Sequence, residues 1–389
     1  MTKQLILKSK EDRRIIAGHP WAFSNEVREL RGDPQAGDVV ELRSAGGKFL
    51  GVGFYNPHSL IAFRMLSREA IECSAEFFTT RIEQALDLRR RLYPESATFR
   101  LVHGESDFLP GMVVDKFNNF ISLQTYSYGM DIRLPMICDV LESLLHPQGI
   151  VERNESPLRS LEGLPIKKAV LRGSVEPTII DDCGVRYRVN VVEGQKTGFF
   201  LDQRENRVAV RRYCKDADVL DCFCNEGGFA LHALRGGARS VFAIDASADA
   251  IAQARENAAL NGLHRIQFEH EDVFDALKRL AAEERKFDVV ILDPPSFTKT
   301  KKHVQQAKQG YKELHSLALR VLHRGGILAT ASCSHHILPE VFLTIIDGTA
   351  RKMNRTLQLL DWRSAAPDHP ILPQVPETRY LKFGIFRAL

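Results

Sequence analysis

The chain lacks any run of about 18 apolar residues, so no segment has the length to cross a bilayer as a helix. Its opening stretch, MTKQLILKSKEDRR, carries charge where a secretory leader needs an apolar run, which argues against export. Cysteine is sparse and odd in number: seven, at positions 73, 138, 183, 214, 222, 224 and 333. Such a scattered set fits free thiols in a reducing cytoplasm better than a disulfide framework. No C-x-x-C pair is present, which removes the usual metal knuckle. Internal repeats and low-complexity tracts are missing too. Nor does one charge dominate: 53 Lys and Arg against 49 Asp and Glu leave a formal net charge of +4, which permits a nucleic-acid partner without arguing for one.

What is present is a 389-residue chain of ordinary globular composition, 44% hydrophobic and 26% charged, long enough for two or three domains. Residues 1–72 read as a small β-rich module. GDVVELRSAGGKFLGVGFYN has two β-rich runs about Ala45-Gly46-Gly47, a hairpin signal, and LIAFRML is a further short strand. A helix follows in SAEFFTTRIEQALDLRRRLY, where Phe77, Phe78, Ile82, Leu86 and Leu92 recur near helical spacing. Residues 73–188 then mix strands and helices without regular alternation, as in an α+β domain. Residues 189–389 hold a different texture. From about 215, ADVLDCF, SVFAIDAS, RIQFEHED, FDVVILDPP and GGILATASC are short apolar strands, most separated by helical segments. This predicts a doubly wound α/β sheet of Rossmann-like type with right-handed crossovers.

Ligands of such sheets bind beyond the carboxyl ends of the strands, so the residues there are the informative ones. The first strand reaches Asp221 and is followed by CFCNEGGF, where Phe223, Asn225 and Gly227 line a turn into the next helix. The second ends at Asp245, 18 positions after Gly227, a placing that suits the two hydroxyls of a ribose. The third is expected to end in Glu271-Asp272-Val273-Phe274, with a carboxylate for an adenine amino group. The G-x-G-x-x-G turn that seats a pyrophosphate is absent, so an adenosyl ligand without phosphates fits better, and S-adenosylmethionine is the obvious one.

The fourth strand ends in Asp293-Pro294-Pro295-Ser296-Phe297, a stiff exit from the sheet that points Asp293 at the same pocket. The fifth ends at Cys333. If the two strands are neighbours, Asp293 and Cys333 flank one crevice. A methyl donor, a carboxylate and a thiol together suit methylation at carbon 5 of a cytosine. That carbon is a poor nucleophile until a thiolate adds at carbon 6, a case of covalent catalysis. Asp293 can hold the base edge through ring nitrogen 3 or the exocyclic amine. Three readings of Cys333 stand: this nucleophile, a buried strand thiol, and a metal ligand beside His335 and His336 with Cys222 and Cys224. Adjacent histidines on an extended chain point opposite ways, which disfavours metal.

The segments ESDFLPGMVVDKF, GQKTGFFLDQREN, LDCFCNEGGFA, LDPPSF and SCSHH, in that order, resemble the bacterial large-subunit ribosomal RNA cytosine-5 methyltransferase I family across essentially the whole chain. The N-terminal GHPWAFSNEV and the strands after it resemble that family's PUA-type RNA-binding β-barrel. The resemblance implies a PUA barrel, a central α+β domain and a C-terminal S-adenosylmethionine-dependent domain. It assigns Asp221 and Gly227 to the donor loop, Asp245 to the ribose, Asp272 to the adenine and Cys333 to nucleophilic attack. Lys196 and Thr197 become candidates for covering the methionine end of the donor. It implies ribosomal RNA as partner, makes a homodimer plausible, and gives meaning to Lys299, Lys301 and Lys302, a basic loop beside the pocket that can hold phosphates while a base is flipped in. The bland alternative for the wider charge run, seven Lys or Arg from 299 to 324 against the lone Glu313, is a solvated helix face. Many RNA cytosine-5 methyltransferases carry a second cysteine after the fourth-strand proline; here Ser296 follows Pro294-Pro295, so Cys333 must act alone and the base that removes the carbon-5 proton is unassigned. Rival functions are methylation of a guanine, which needs no thiol, and a non-catalytic PUA-type RNA-binding factor.

Overall fold

The structure, a computed structural model, describes residues 2–194, 197–298 and 301–389, the side chain of residue 301 excepted. Lys196, Lys299 and the side chain of Lys301 therefore lie outside the described residues. The chain forms two compact units. The first comprises Met1–Ile180, Val189–Leu201 and Pro367–Thr378; the second comprises Asp181–Arg188, Asp202–Ala366 and Arg379–Leu389.

In the first unit, six strands pair in the order Trp21–Ala22, Phe63–Ser67, Phe49–Tyr55, Val39–Arg43, Gln4–Leu7, Val27–Arg31. The expected hairpin joins Val39–Arg43 to its antiparallel partner Phe49–Tyr55, with Gly47 at φ +83° in the turn. Leu5, Leu7, Val40, Leu42, Phe63 and Met65 from these strands share one buried cluster. Trp21 packs: its indole N–H donates to Glu105 Oε1 at 2.9 Å, with the Arg64 guanidinium over the ring. A second sheet runs Lys167–Gly173, Gly149–Asn154, Phe120–Thr125, Met112–Phe117, Thr98–His103. The helix Ala75–Leu92 starts where Ser74 Oγ accepts the Phe77 amide, and buries Phe78, Ile82 and Leu86 in that sheet's core. Arg89 continues this face and is fully buried, but both of its terminal nitrogens reach Asp107, at 2.5 and 2.7 Å, so the charge is paired.

The second unit carries a seven-stranded sheet: β1 (Asp218–Cys222), β2 (Ser240–Asp245), β3 (Ile266–His270), β4 (Phe287–Leu292), β5 (Leu322–Ser332), β6 (Leu357–Arg363) and β7 (Lys382–Ala388), in the order β3-β2-β1-β4-β5-β7-β6. The first five are parallel, as the alternation of strand and helix predicts, and β7 lies antiparallel between β5 and β6. The helices are α1 (Arg204–Arg211), α2 (Gly228–Arg235), α3 (Ala248–Leu260), α4 (Val273–Ala282), α5 (Val304–Val321) and α6 (Pro339–Lys352). Strands covered on both faces read as continuous apolar runs. Leu220, Phe242, Ile244, Val290, Leu292 and Leu328 accordingly pack against Leu277, Leu280, Tyr311, Leu314, Phe342 and Ile346 of the helices. Among the described residues no helix is long and apolar enough to cross a membrane.

One strand end departs from expectation. β3 stops at His270 rather than running through Glu271 to Phe274. Asp272 is the N-cap of α4, its Oδ1 accepting the amides of Phe274 at 2.8 Å and Asp275 at 3.2 Å, and this cap turns the chain into the helix.

Candidate donor and catalytic site

Strands β1 and β4 are neighbours at the point where the strand order reverses, so the turns leaving them diverge and open a crevice at their carboxyl ends. The turn after β1 has three left-handed residues: Phe223 at φ 64°, Asn225 at φ 48° and Gly227 at φ +85°. Glycine adopts this conformation freely, whereas Phe and Asn there cost of order 1–3 kcal/mol each, strain of the kind that gathers at ligand sites. The neighbours that impose it are visible. Asn225 N–H donates to Asp245 Oδ2 at 2.9 Å, Cys224 N–H to the Ile244 carbonyl at 3.0 Å, and Asn257 Nδ2 to the Glu226 carbonyl at 3.1 Å. Asp245 Oδ1 also accepts the Ser247 amide at 2.9 Å, which fixes the carboxylate at the end of β2.

Asp221 is fully buried, and among the described residues neither of its oxygens has a hydrogen-bond partner. Burial pushes its carboxyl far above the usual carboxylate range, and the nearby charges of Asp293 and Asp245 push it further. The Ala230 amide, too poorly placed for a full hydrogen bond, and Arg207 offset only part of this. A buried acid with both oxygens orphaned suits a cationic ligand, whose charge would restore the ionised form. S-adenosylmethionine carries an ammonium and a sulfonium, so the residues present fit it.

A buried ionic cluster braces the start of α2. Asp182 accepts Arg204 Nε at 2.7 Å and Arg207 Nη1 at 2.9 Å, and His232 Nε2 lies 3.5 Å from it. Burial alone would raise the Asp182 carboxyl, but His232, Arg207 and Arg204 outweigh it and hold the group far below the carboxylate range. Burial holds His232 down at about 4, against the pull of Asp182, so its ring is neutral. Arg207 leaves no room at Gly228, where a Cβ would stand 2.8 Å from its Nε, and the Tyr187 hydroxyl donates to the Gly228 carbonyl at 3.1 Å. The second glycine of the loop thus serves close packing rather than an unusual dihedral.

Strands β4 and β5 are parallel neighbours with Leu292 opposite Thr330, and Asp293 and Cys333 are the first residues past their ends. Asp293 Oδ1 accepts Gln203 Nε2 at 2.9 Å; Gln203 Oε1 accepts Asn206 Nδ2 at 2.7 Å, and Asn206 Oδ1 accepts Arg363 Nε at 3.2 Å. This relay of amides orients the carboxylate. Ser296 Oγ donates to the Thr298 carbonyl at 2.8 Å, so in the Ser296–Ser334 pair, 3.2 Å apart, Ser334 is the donor. The Tyr311 hydroxyl donates to Ser332 Oγ at 2.8 Å and lies 3.1 Å from Ser334 Oγ. The turn carrying Asp293 is thereby tied to the turn carrying Cys333. Burial pushes the Tyr311 phenol up to about 12; the two serine hydroxyls act against this, and Cys333 and Asp293 add to it. Both groups therefore lie within electrostatic reach of one phenol. Cys333 itself is half-buried, unlike the fully buried Cys138, Cys214, Cys222 and Cys224.

The remaining candidates are spread more widely. Asp272 is exposed, with Oδ1 spent on the α4 cap. Thr197 is buried in the first unit, where its hydroxyl donates to Asp115 Oδ2 at 2.5 Å; it has a partner of its own before any donor binds. Lys302 is exposed in the 3₁₀ turn Lys301–His303 that leads into α5, and Lys312 and Arg320 are exposed on α5, as a solvated face requires. The sequence reading passed over Gln203, although the stretch LDQREN was in view, and Glu226. The Glu226 carboxyl is pushed up to about 7 by burial, against Arg207, and its Oε2 has no partner among the described residues.

Residues 5–68 match a PUA-like domain, and residues 170–387 match the S-adenosylmethionine-dependent methyltransferase family. The ribosomal RNA large subunit methyltransferase I of Tolumonas auensis is 36% identical over 397 residues, covering 100% of both chains. Its counterpart from Klebsiella pneumoniae is 36% identical over 97% of this chain and 96% of its own. Among solved structures, a putative methyltransferase complexed with SAH aligns over 100% of both chains with a TM-score of 0.86 at 21% identity. A putative S-adenosylmethionine-dependent methyltransferase from Streptococcus mutans aligns over 100% of both chains with 0.85 at 21%. These two share the fold. The chain belongs to the ribosomal RNA large subunit methyltransferase I family, a PUA-like domain joined to a Rossmann-like methyltransferase domain that uses S-adenosylmethionine.

Proposed function

We propose that the chain methylates carbon 5 of a cytosine in large-subunit ribosomal RNA, with Cys333 as covalent nucleophile and Asp293 holding the base edge. The observation that carries this reading is the delivery of Asp293 and Cys333 by adjacent parallel strands whose turns are tied through Ser296 and Ser334. The Cys333 thiolate adds to carbon 6, forming the S–C6 bond and leaving carbon 5 nucleophilic; after methylation a base removes the carbon-5 proton and the thiolate departs. Asp293, oriented by Gln203, can pair with ring nitrogen 3 or the exocyclic amine. When bound, S-adenosylmethionine supplies the electrophilic methyl group. Asp221, Phe223, Asn225, Gly227, Asp245 and Asp272 are the residues that would hold it, with Lys196 and Thr197 as candidates from the preceding segment.

Ribosomal RNA as substrate follows from the relatives' names and from the PUA-like domain, with Lys302 and the basic residues around it as candidate phosphate contacts. On this reading residues 1–72 form the RNA-binding module, 73–188 the central domain and 189–389 the catalytic domain. Methylation of a guanine is the rival reading, and it gives a half-buried thiol at a parallel strand end no task. The products separate the two. Nucleosides recovered from ribosomal RNA after incubation with the protein and S-adenosylmethionine are expected to include 5-methylcytidine; a methylated guanosine in its place contradicts the proposal.

A further inference from the structure

β7 begins at Lys382, whose Cα pairs with that of Ser332 across the β5–β7 ladder. Lys382 is 2% exposed. Lysine is almost never buried without an acidic partner, because stripping an ammonium of water is costly. Here no carboxylate among the described residues answers it. Its Nζ donates to the carbonyls of Ser334 and Tyr380, both at 2.8 Å. These two acceptors pin the ammonium to the turn that begins with Cys333. Burial brings its proton affinity down to about 8, and the group that acts in the opposite direction is Cys333. A lysine placed only to close a turn could be replaced by a neutral donor at lower cost. Among the described residues, the Tyr311 phenol of α5 senses both Cys333 and Asp293, the residue that follows β4. On the side of Tyr380, its hydroxyl donates to Asp202 Oδ2 at 2.7 Å, and the His335 ring stands 5.9 Å from its ring.

We propose that Lys382 is a positioning residue that holds Cys333 as a thiolate: its ammonium, fixed between the Ser334 and Tyr380 carbonyls, stabilises the negative sulfur before attack and again when the S–C6 bond breaks. The inference rests on the reading of Cys333 as the nucleophile. The S–H bond breaks with its proton passing to water, and the ammonium keeps all of its own protons throughout. On departure from carbon 6 the sulfur takes back the bonding pair as thiolate, beside the same cation. No oxidant, reductant or further reactant enters.

The test is the pH dependence of Cys333 alkylation by iodoacetamide in the full-length protein without RNA, resolved peptide by peptide by mass spectrometry. In the wild-type chain the midpoint for Cys333 is expected below the ordinary thiol value of about 8.5. Lys382→Met raises it by roughly one pH unit, so that alkylation at neutral pH slows about tenfold, while Lys382→Arg keeps the charge and stays close to wild type. A wild-type midpoint at or above the ordinary value overturns the proposal, as does a Lys382→Met curve that overlays the wild type. If Lys382→Met loses S-adenosylmethionine binding and so its fold, the wild-type midpoint alone decides. Retained methyl transfer by Cys333→Ala would defeat the nucleophile reading without bearing on the wild-type and Lys382→Met alkylation curves, so the two failures are separable.

Discussion

Replacing Cys333 by Ala lowers the rate of methyl transfer at least about 10⁴-fold while leaving S-adenosylmethionine binding unchanged. Loss of a covalent nucleophile removes a step rather than a contact, and losses of this order or greater are seen when one is deleted. The fold should tolerate the change. Cys333 is half-buried and lies past the end of β5, and the ties between the two turns run through Ser296, Ser332, Ser334 and Tyr311, which all remain. Nor does the donor loop depend on the sulfur, since its bonds go to Asp245, Ile244 and Asn257. Single-turnover methyl transfer, with donor binding measured by calorimetry, checks both halves. Activity within tenfold of wild type would favour the guanine reading, whose chemistry has no use for a thiol.

Asp245→Ala has the second largest expected effect, a weakening of S-adenosylmethionine binding by about 100-fold. Hydrogen bonds to a charged group contribute roughly 1.5–3 kcal/mol each. On the proposed ribose contact, losing two of them therefore costs about 3 kcal/mol or more, and about 1.4 kcal/mol corresponds to a tenfold change in Kd. The carboxylate also accepts the Asn225 and Ser247 amides, so its removal releases the strained donor loop as well. Asp245→Asn keeps an acceptor for one amide and should lose less, on the order of tenfold. Titration calorimetry distinguishes these outcomes. Unchanged affinity in Asp245→Ala would move the donor away from the end of β2, and no binding even in the wild type would point to a non-catalytic factor.

The parallel part of the sheet was legible because strands buried on both faces carry apolar runs at their centres: Val219-Leu220 in β1, Val241 to Ile244 in β2, Val289 to Leu292 in β4 and Ile327 to Ala329 in β5. The closing pair β6 and β7 was not. LQLLDWR lies half-exposed at the sheet edge and shows neither a continuous apolar run nor clean alternation, and KFGIFRA opens with a lysine that reads as solvent-facing until its burial is seen. The end of β3 was misplaced because Glu271 and Asp272 look like strand-end carboxylates, whereas the Asp272 side chain competes for the next amides and starts a helix. Asp293 and Cys333 could be named from their strand ends alone. Their supports could not: Gln203, Tyr311 and Lys382 are 90, 22 and 49 residues removed in sequence from the groups they serve, and they arrive from three separate elements, the turn before α1, helix α5 and strand β7.

The most direct measurement of the central claim is a covalent trap. RNA in which the target cytosine is replaced by 5-fluorocytosine offers carbon 6 to the thiolate but has no proton at carbon 5 to remove, so the S–C6 bond cannot be released after methylation. Incubated with the protein and S-adenosylmethionine, it is expected to give a denaturation-resistant protein–RNA adduct whose linked peptide contains Cys333 and which Cys333→Ala fails to form. Methylation of the natural RNA by the same preparation with no such adduct, or with an adduct at another residue, would contradict Cys333 as the nucleophile.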